Sequence, residues 1–215
     1  LAASPGNAEL TITWQAPAQD GGSPITDYSA SAIPSGQNEP VASCDTTTQR
    51  CVIRGLVNGT AYSVRAIARN SAGSGPAASL AQPITPYAAP DAPTDLQVDA
   101  GRGTAMVSWS APLNTGGLAI TRYTATAMPG GQSCTVSGAP PPTRCMIGGL
   151  VPGVTYTFSV VAENAGGAVG PPATFGGAAV PVSPTVVPSL SAGGALLLLI
   201  AMVLVSWVGL RSRGL

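Results

Sequence analysis

The chain states one domain twice, and this duplication limits its possible folds more than any other feature. Leu1, Gly6, Trp14, Ala16–Pro17, Gly21–Gly22, Ile25 and Tyr28 return at Leu96, Gly101, Trp109, Ala111–Pro112, Gly116–Gly117, Ile120 and Tyr123, all at an offset of 95 residues. After one net deletion the offset is 94. Arg50–Cys51, Gly55–Leu56–Val57, Gly59, Tyr62 and Asn70 then face Arg144–Cys145, Gly149–Leu150–Val151, Gly153, Tyr156 and Asn164. Solenoid units run roughly 20–50 residues. A period this long means two copies of a whole domain.

Within each copy the hydrophobic period is two. Leu10, Ile12 and Trp14 alternate with Glu9, Thr11 and Thr13, and Tyr62, Val64, Ala66 and Ala68 alternate with Ser63, Arg65 and Arg69. The second copy repeats this with Ala105, Val107 and Trp109, and with Tyr156, Phe158, Val160 and Ala162. Such alternation marks strands with one buried face. Gly, Pro, Asn and Asp gather between the runs, as at Asp20–Pro24, Pro34–Gly36, Asn58–Gly59 and Asn70–Pro76, which is turn chemistry. No helical period occurs before residue 190. Short strands with regularly spaced turns predict an antiparallel sandwich in each copy.

The order of these motifs resembles the fibronectin type III family. An early-strand Trp is followed by Ala-Pro, Gly-Gly and Ile-x-x-Tyr, then by Gly-Leu-Val-x-Gly-x-x-Tyr and an Asn-x-x-Gly turn. All of this occurs twice, across about residues 1–181. The resemblance implies an all-β fold of two tandem immunoglobulin-like sandwiches, each with strands A, B and E on one sheet and C, C′, F and G on the other. It places Trp14 and Trp109 in the two cores. It makes Leu56/Tyr62 and Leu150/Tyr156 the two tyrosine corners, in which a phenol hydroxyl returns to the backbone. The expected organisation is a first domain over 1–86, beginning within the domain, a Pro-rich linker over 87–93 and a second domain over 94–181. The density of prolines around the linker favours extended, semi-rigid geometry, with the sandwiches end to end.

Four cysteines fall two per copy, Cys44 and Cys51, then Cys134 and Cys145. With no His in the chain these spacings are poor for zinc, which favours short Cys-x2–4-Cys pairs. Even distribution between the copies is what local bridges predict, Cys44 with Cys51 and Cys134 with Cys145; four buried thiols are the alternative. In the family topology the bridges would tie strand C′ to the start of strand E. Disulfides imply an oxidising compartment.

The tail departs from this pattern. A Pro/Ser stalk over 182–191 leads to 19 residues without charge, Ala192 to Leu210. As a helix this run is about 28 Å long, close to the hydrocarbon thickness of a bilayer. Trp207 sits near the end that Arg211 and Arg213 close. This predicts a single transmembrane helix over 192–210 with the Arg tail, 211–215, cytoplasmic and both sandwiches extracytoplasmic. Val187-Pro188-Ser189-Leu190-Ser191, the span and the Arg stub together resemble bacterial sorting signals of the Ile-Pro-Thr-Leu type, which exosortase-like transpeptidases process. Ala192-Gly193 stands where that class carries Glu-Trp. A plain single-pass anchor is the alternative.

Composition excludes several functions. Charged residues are 8% of the chain, net charge is zero and every basic residue is Arg, so the basic footprint of nucleic-acid binding is absent. Without His there is no Ser-His-Asp or Cys-His arrangement, and without Lys no phosphate loop. Asp20 and Asp27 give way to Thr115 and Arg122 in the second copy, which reads as solvated loop carboxylates. Asn58-Gly59-Thr60 reads as a tight turn, because Pro152-Gly153-Val154 replaces it in the second copy. No Arg-Gly-Asp occurs in the loops. The expected protein is non-catalytic, needs no cofactor or metal, and serves as a membrane-anchored spacer or adhesion stalk. An extracellular protein or glycan is the ligand class it would take. The rival reading is the anchoring and binding tail of a larger secreted enzyme with catalysis upstream of Leu1.

Overall fold

The computed structural model describes residues 1–180. They form strands only, and each copy of the repeat folds as a sandwich. In the first copy β1 (Ala2–Gly6), β2 (Glu9–Thr13) and β5 (Arg50–Arg54) make one sheet in the order β1-β2-β5. The facing sheet places β4 (Ala42–Thr46) beside β3 (Ile25–Pro34), then β6 (Tyr62–Asn70), with the short β7 (Gly73–Ser74) and β8 (Ala78–Ser79) both on the far edge of β6. The second copy repeats the plan. β9 (Thr94–Gly101), β10 (Thr104–Ser110) and β13 (Arg144–Gly148) form one sheet. β12 (Gln132–Ser137), β11 (Ile120–Met128), β14 (Thr155–Asn164) and β15 (Ala173–Ala179) form the other, in that order. This is the expected division into A-B-E and C′-C-F-G. All pairings are antiparallel, and β3 and β11 slip register at the same place, between Ile25 and Asp27 and between Ile120 and Arg122.

Period-two alternation becomes burial directly. Leu10, Ile12, Ala30, Ala32 and Ile53 are fully buried in the first core, and Ala105, Val107, Ala125, Ala127, Ile147, Phe158 and Val160 in the second. The cores differ in volume. Val64 and Ala66 occupy the places of Phe158 and Val160, and the last strand of the first copy is broken between β7 and β8. A cavity of about 140 Å³ results, lined by Trp14, Tyr28, Ala66, Ala68 and Pro76. Trp14, expected in the core, is therefore only partly buried at the core's edge, whereas Trp109 is 5% exposed. Each indole still packs obliquely on the tyrosine that follows it, 5.6 Å from Tyr28 and 5.2 Å from Tyr123 between ring centres.

Both disulfides link the strands that the sequence suggests, Cys44 on β4 to Cys51 on β5 and Cys134 on β12 to Cys145 on β13, with Cα atoms 6.3 and 6.2 Å apart. Because β4 and β5 belong to opposite sheets, as do β12 and β13, each bridge closes one edge of its sandwich. Among the described residues no helix is long and apolar enough to cross a membrane. The span expected at 192–210 lies outside the described residues, as do Val187, Pro188, Ser189, Leu190, Ser191, Arg211 and Arg213.

Candidate functional site: the joint between the sandwiches

The connection between the two sandwiches is built in, with few free positions. Pro86, Pro90 and Pro93 are buried, so the prolines do more than stiffen an exposed spacer. The chain leaves the first domain under hydrogen bonds from Gly59 N–H to Pro86 O (2.9 Å) and from Tyr87 N–H to Gly6 O (3.1 Å). It enters the second under bonds from Ala88 N–H to Gly116 O (2.8 Å) and from Asp91 N–H to Asn114 O (2.9 Å). Both copies and the connection belong to one compact unit, Leu1–Val182.

Asn164 is the hub of this joint. It is 1% exposed, and its carboxamide uses both donors and both acceptor positions. Nδ2 donates to Ala88 O (2.8 Å) and to Thr115 O (3.0 Å); Oδ1 accepts from Gly166 N–H (3.1 Å) and Ala168 N–H (3.2 Å). A buried amide is tolerated when it is fully satisfied in this way. Asn164 ties three segments together: the linker, the loop after β10 and the turn after β14. Beside it the Tyr87 hydroxyl donates to Gly166 O at 2.8 Å.

Several glycines make the close approach possible. A Cβ at Gly166 would collide with the Tyr87 ring, and one at Gly116 would strike the Ala88 carbonyl. A Cβ at Gly59 would lie 2.5 Å from Gly117 O, and one at Gly170 would meet the Pro90 carbonyl. Gly59 (φ +83°) and Gly117 (φ +93°) are also turn residues in the left-handed region, where side chains are disfavoured. They therefore satisfy a local and a long-range demand at once.

The other residues singled out in the sequence have local roles, although Asn58 also meets Gly117 across the joint. Tyr62 and Tyr156 form the expected corners, their hydroxyls accepting from Val57 N–H and Val151 N–H, both at 3.0 Å, while Leu56 and Leu150 are buried alongside. Asn58 lies in a turn: its Oδ1 accepts from Ala8 N–H and its Nδ2 donates to Asn7 Oδ1, each at 2.8 Å. Asp20 caps its own loop by accepting from Gly22 N–H (2.9 Å), and Asp27 pairs with Arg69 at 3.5 Å. These are exposed carboxylates in structural roles. Burial pushes the Tyr123 phenol above its ordinary value.

The sequence model of the fibronectin type III domain matches residues 2–84 and 91–175. The chain belongs to the fibronectin type III family. It is 31% identical over 193 residues to Fibronectin type-III domain-containing protein 3A of Mus musculus, covering 88% of this chain and 16% of that one. It is 32% identical over 182 residues to Chitinase A1 of Niallia circulans, covering 77% and 24%. The chain thus spans a quarter or less of the length of these relatives. Among solved structures, three fibronectin domains of chicken CNTN1 align with a TM-score of 0.49 and 23% identity, over 84% of this chain and 66% of that one. In family terms, the joint binds the linker and E–F turn of the first fibronectin type III domain to the B–C and F–G loops of the second.

Proposed function

We propose that the chain is a non-catalytic bacterial surface arm. Its fibronectin type III domains are held outside the membrane at a fixed relative orientation, so that they act as a spacer or adhesion stalk. The observation that carries this reading is the joint. Burying Asn164 with every hydrogen-bonding position filled, and wedging Tyr87 against Gly166, removes the freedom that a flexible linker would keep. Exposed loops made of Gly, Ser, Ala and Asn, poor in the aromatic anchors typical of binding hot spots, favour spacer over binder. One disulfide per domain fits an oxidising, extracytoplasmic location. The uncharged run 192–210 followed by Arg211 and Arg213 supplies the membrane tether.

In this reading Val187–Ser191 is the sorting motif for an exosortase-like transpeptidase. Pro188 keeps the residue before it extended, and the span holds the motif near the outer face until transfer removes the tail. Mass spectrometry of the C-terminal peptide from native cells tests this, with a mature form lacking 192–215 expected. Dominance of an intact Ser191–Leu215 segment leaves an ordinary single-pass anchor. Soluble 1–190 is expected to turn over no glycosidase, esterase or peptidase substrate. Turnover abolished by mutating one Asp or Glu would overturn the non-catalytic reading.

The likeness to Chitinase A1, and to Endoglucanase B of Cellulomonas fimi at 31% identity over 187 residues, favours a second reading: the binding and anchoring tail of a larger secreted enzyme. Sizing the native polypeptide with an antibody against the second domain separates the two, since a catalytic domain in the same polypeptide would select the second.

A further inference from the structure

The first domain carries at its own B–C/F–G end the same set of groups that grips the linker in the second. Gln19, Gly21, Gly22 and Asn70 correspond to Asn114, Gly116, Gly117 and Asn164. In the second domain these positions are covered: Gly116 O accepts from Ala88 N–H, Asn114 O from Asp91 N–H, and Gly117 presses on Asn58 and Gly59. In the first they line or border an open groove of about 680 Å³, walled by Pro17, Ile25, Ala68 and Pro76. No atom approaches within 4 Å of a Cβ placed on Gly22. Among the described residues no N–H reaches Gln19 O or Gly21 O. The Asn70 carboxamide keeps its loop bonds to Ala72 N–H and Gly73 N–H, but its second donor turns inward to Ser23 O (3.1 Å) where that of Asn164 reaches the linker.

We infer that this groove seats the trailing end of another fibronectin type III domain joined ahead of Leu1, received as an extended Ala/Pro segment. Its hydrogen bonds would copy those of Ala88 and Asp91, and a turn like Asn58–Gly59 would press on Gly22. One difference sets the specificity. Gly166, whose missing side chain admits the Tyr87 ring, corresponds to Ala72, and the Ala72 methyl group occupies the equivalent space. The segment that fits here carries a small residue where the known linker carries tyrosine. This inference concerns how domains stack and stands apart from the membrane and sorting reading.

The test extends the full chain, in detergent micelles, with a second copy of residues 1–95 ahead of Leu1. In one fusion the added copy carries Tyr87→Ala; in another its last ten residues are replaced by Gly/Ser. The readout is hydrogen exchange and chemical shift of the Asn70 side-chain amide. Docking covers the Asn70 amide and adds hydrogen bonds beside it at Gly21 O and Gln19 O, each worth up to roughly tenfold in an equilibrium, so exchange is expected to be about tenfold slower in the Ala/Pro fusion than in the Gly/Ser fusion. Identical exchange and shifts in the two fusions would overturn the inference. A third fusion that keeps tyrosine is expected to dock only when the receiving domain carries Ala72→Gly. Equal docking with and without that change would refute the specificity. Saturation of the unextended chain by the free peptide Pro-Ala-Ala-Ala-Pro-Asp-Ala-Pro at micromolar concentration would show a receptor for separate peptides, and would also overturn the tandem assignment.

Discussion

Gly166→Ala isolates the joint from every local demand of its own turn. Gly166 is not in the left-handed region, so alanine is acceptable to the backbone; the obstacle is the Tyr87 ring, which an added methyl group would displace. Displacement breaks the bond from the Tyr87 hydroxyl to Gly166 O, worth about 1 kcal/mol net. It also exposes the buried half of the ring, on the order of 100 Å² at about 25 cal/mol per Å². Part of the second contribution returns through recovered side-chain freedom, which leaves a loss of roughly 2–3 kcal/mol. For a unit of this size each kcal/mol moves the melting temperature by about 2–4 °C, so a fall of roughly 5–10 °C is expected. The decisive assay is a double-mutant cycle with Tyr87→Ala, read by thermal and denaturant unfolding. Without the ring the three nearest obstacles to the added methyl group are gone, so most of its cost should vanish and the double variant should nearly match Tyr87→Ala alone. Gly167→Ala is the control. With φ at +78° and open space around it, it should cost about 1 kcal/mol from backbone strain in either background. Equal cost of Gly166→Ala with and without Tyr87 would refute the account of the joint.

Four further outcomes are expected. Tyr62→Phe and Tyr156→Phe should each destabilise by about 1 kcal/mol, since each leaves the N–H of Val57 or Val151 without its partner; chemical denaturation measures this. Reducing the Cys44–Cys51 and Cys134–Cys145 bridges should cost about 2.5 and 3 kcal/mol on the chain-entropy account; non-reducing peptide mapping with melting in reductant checks both pairing and size. Ala66→Val, which adds methyl groups beside the cavity at Trp14, should stabilise by up to about 1 kcal/mol, seen as a higher melting temperature. Tyr123 binds its proton more tightly folded than unfolded, so its contribution is complete below the ordinary tyrosine value near 10. It is lost as pH rises through the raised folded value. Stability measured against pH should therefore fall on the alkaline side, and Tyr123→Phe should flatten that fall.

Most of the fold was legible because its signals are local and occur twice. Alternating burial on β2, β6, β10 and β14 follows from period-two sequence, and the tyrosine corners and disulfides recur at matching depth in each copy. The duplication also explains the misplaced Trp14. A motif match reports the position of a tryptophan, while the depth of its burial depends on distant residues: Ala66 in place of Val160, and a last strand interrupted at Gly75–Ala77. The expectations for the tail rest on hydropathy and a short motif, and they concern residues outside the described ones.

The joint was much harder to see, for a physical reason. Its glycines sit in turns, and a turn is already a sufficient explanation for a glycine, so their second role in admitting the neighbouring domain leaves no separate mark on the sequence. Asn164 is equally ambiguous, because Asn70 organises the matching turn: its Oδ1 accepts from Ala72 N–H as that of Asn164 accepts from Gly166 N–H. The discriminating signal was the departure from symmetry. Gly166 stands against Ala72, and Tyr87 is the lone aromatic in a proline-rich connection. Turn geometry alone accepts alanine at either place, so the glycine at 166 reflects a contact beyond its own domain. In a duplicated chain, what the copies share describes the domain, and positions where they differ without local cause are where to look for what each copy touches.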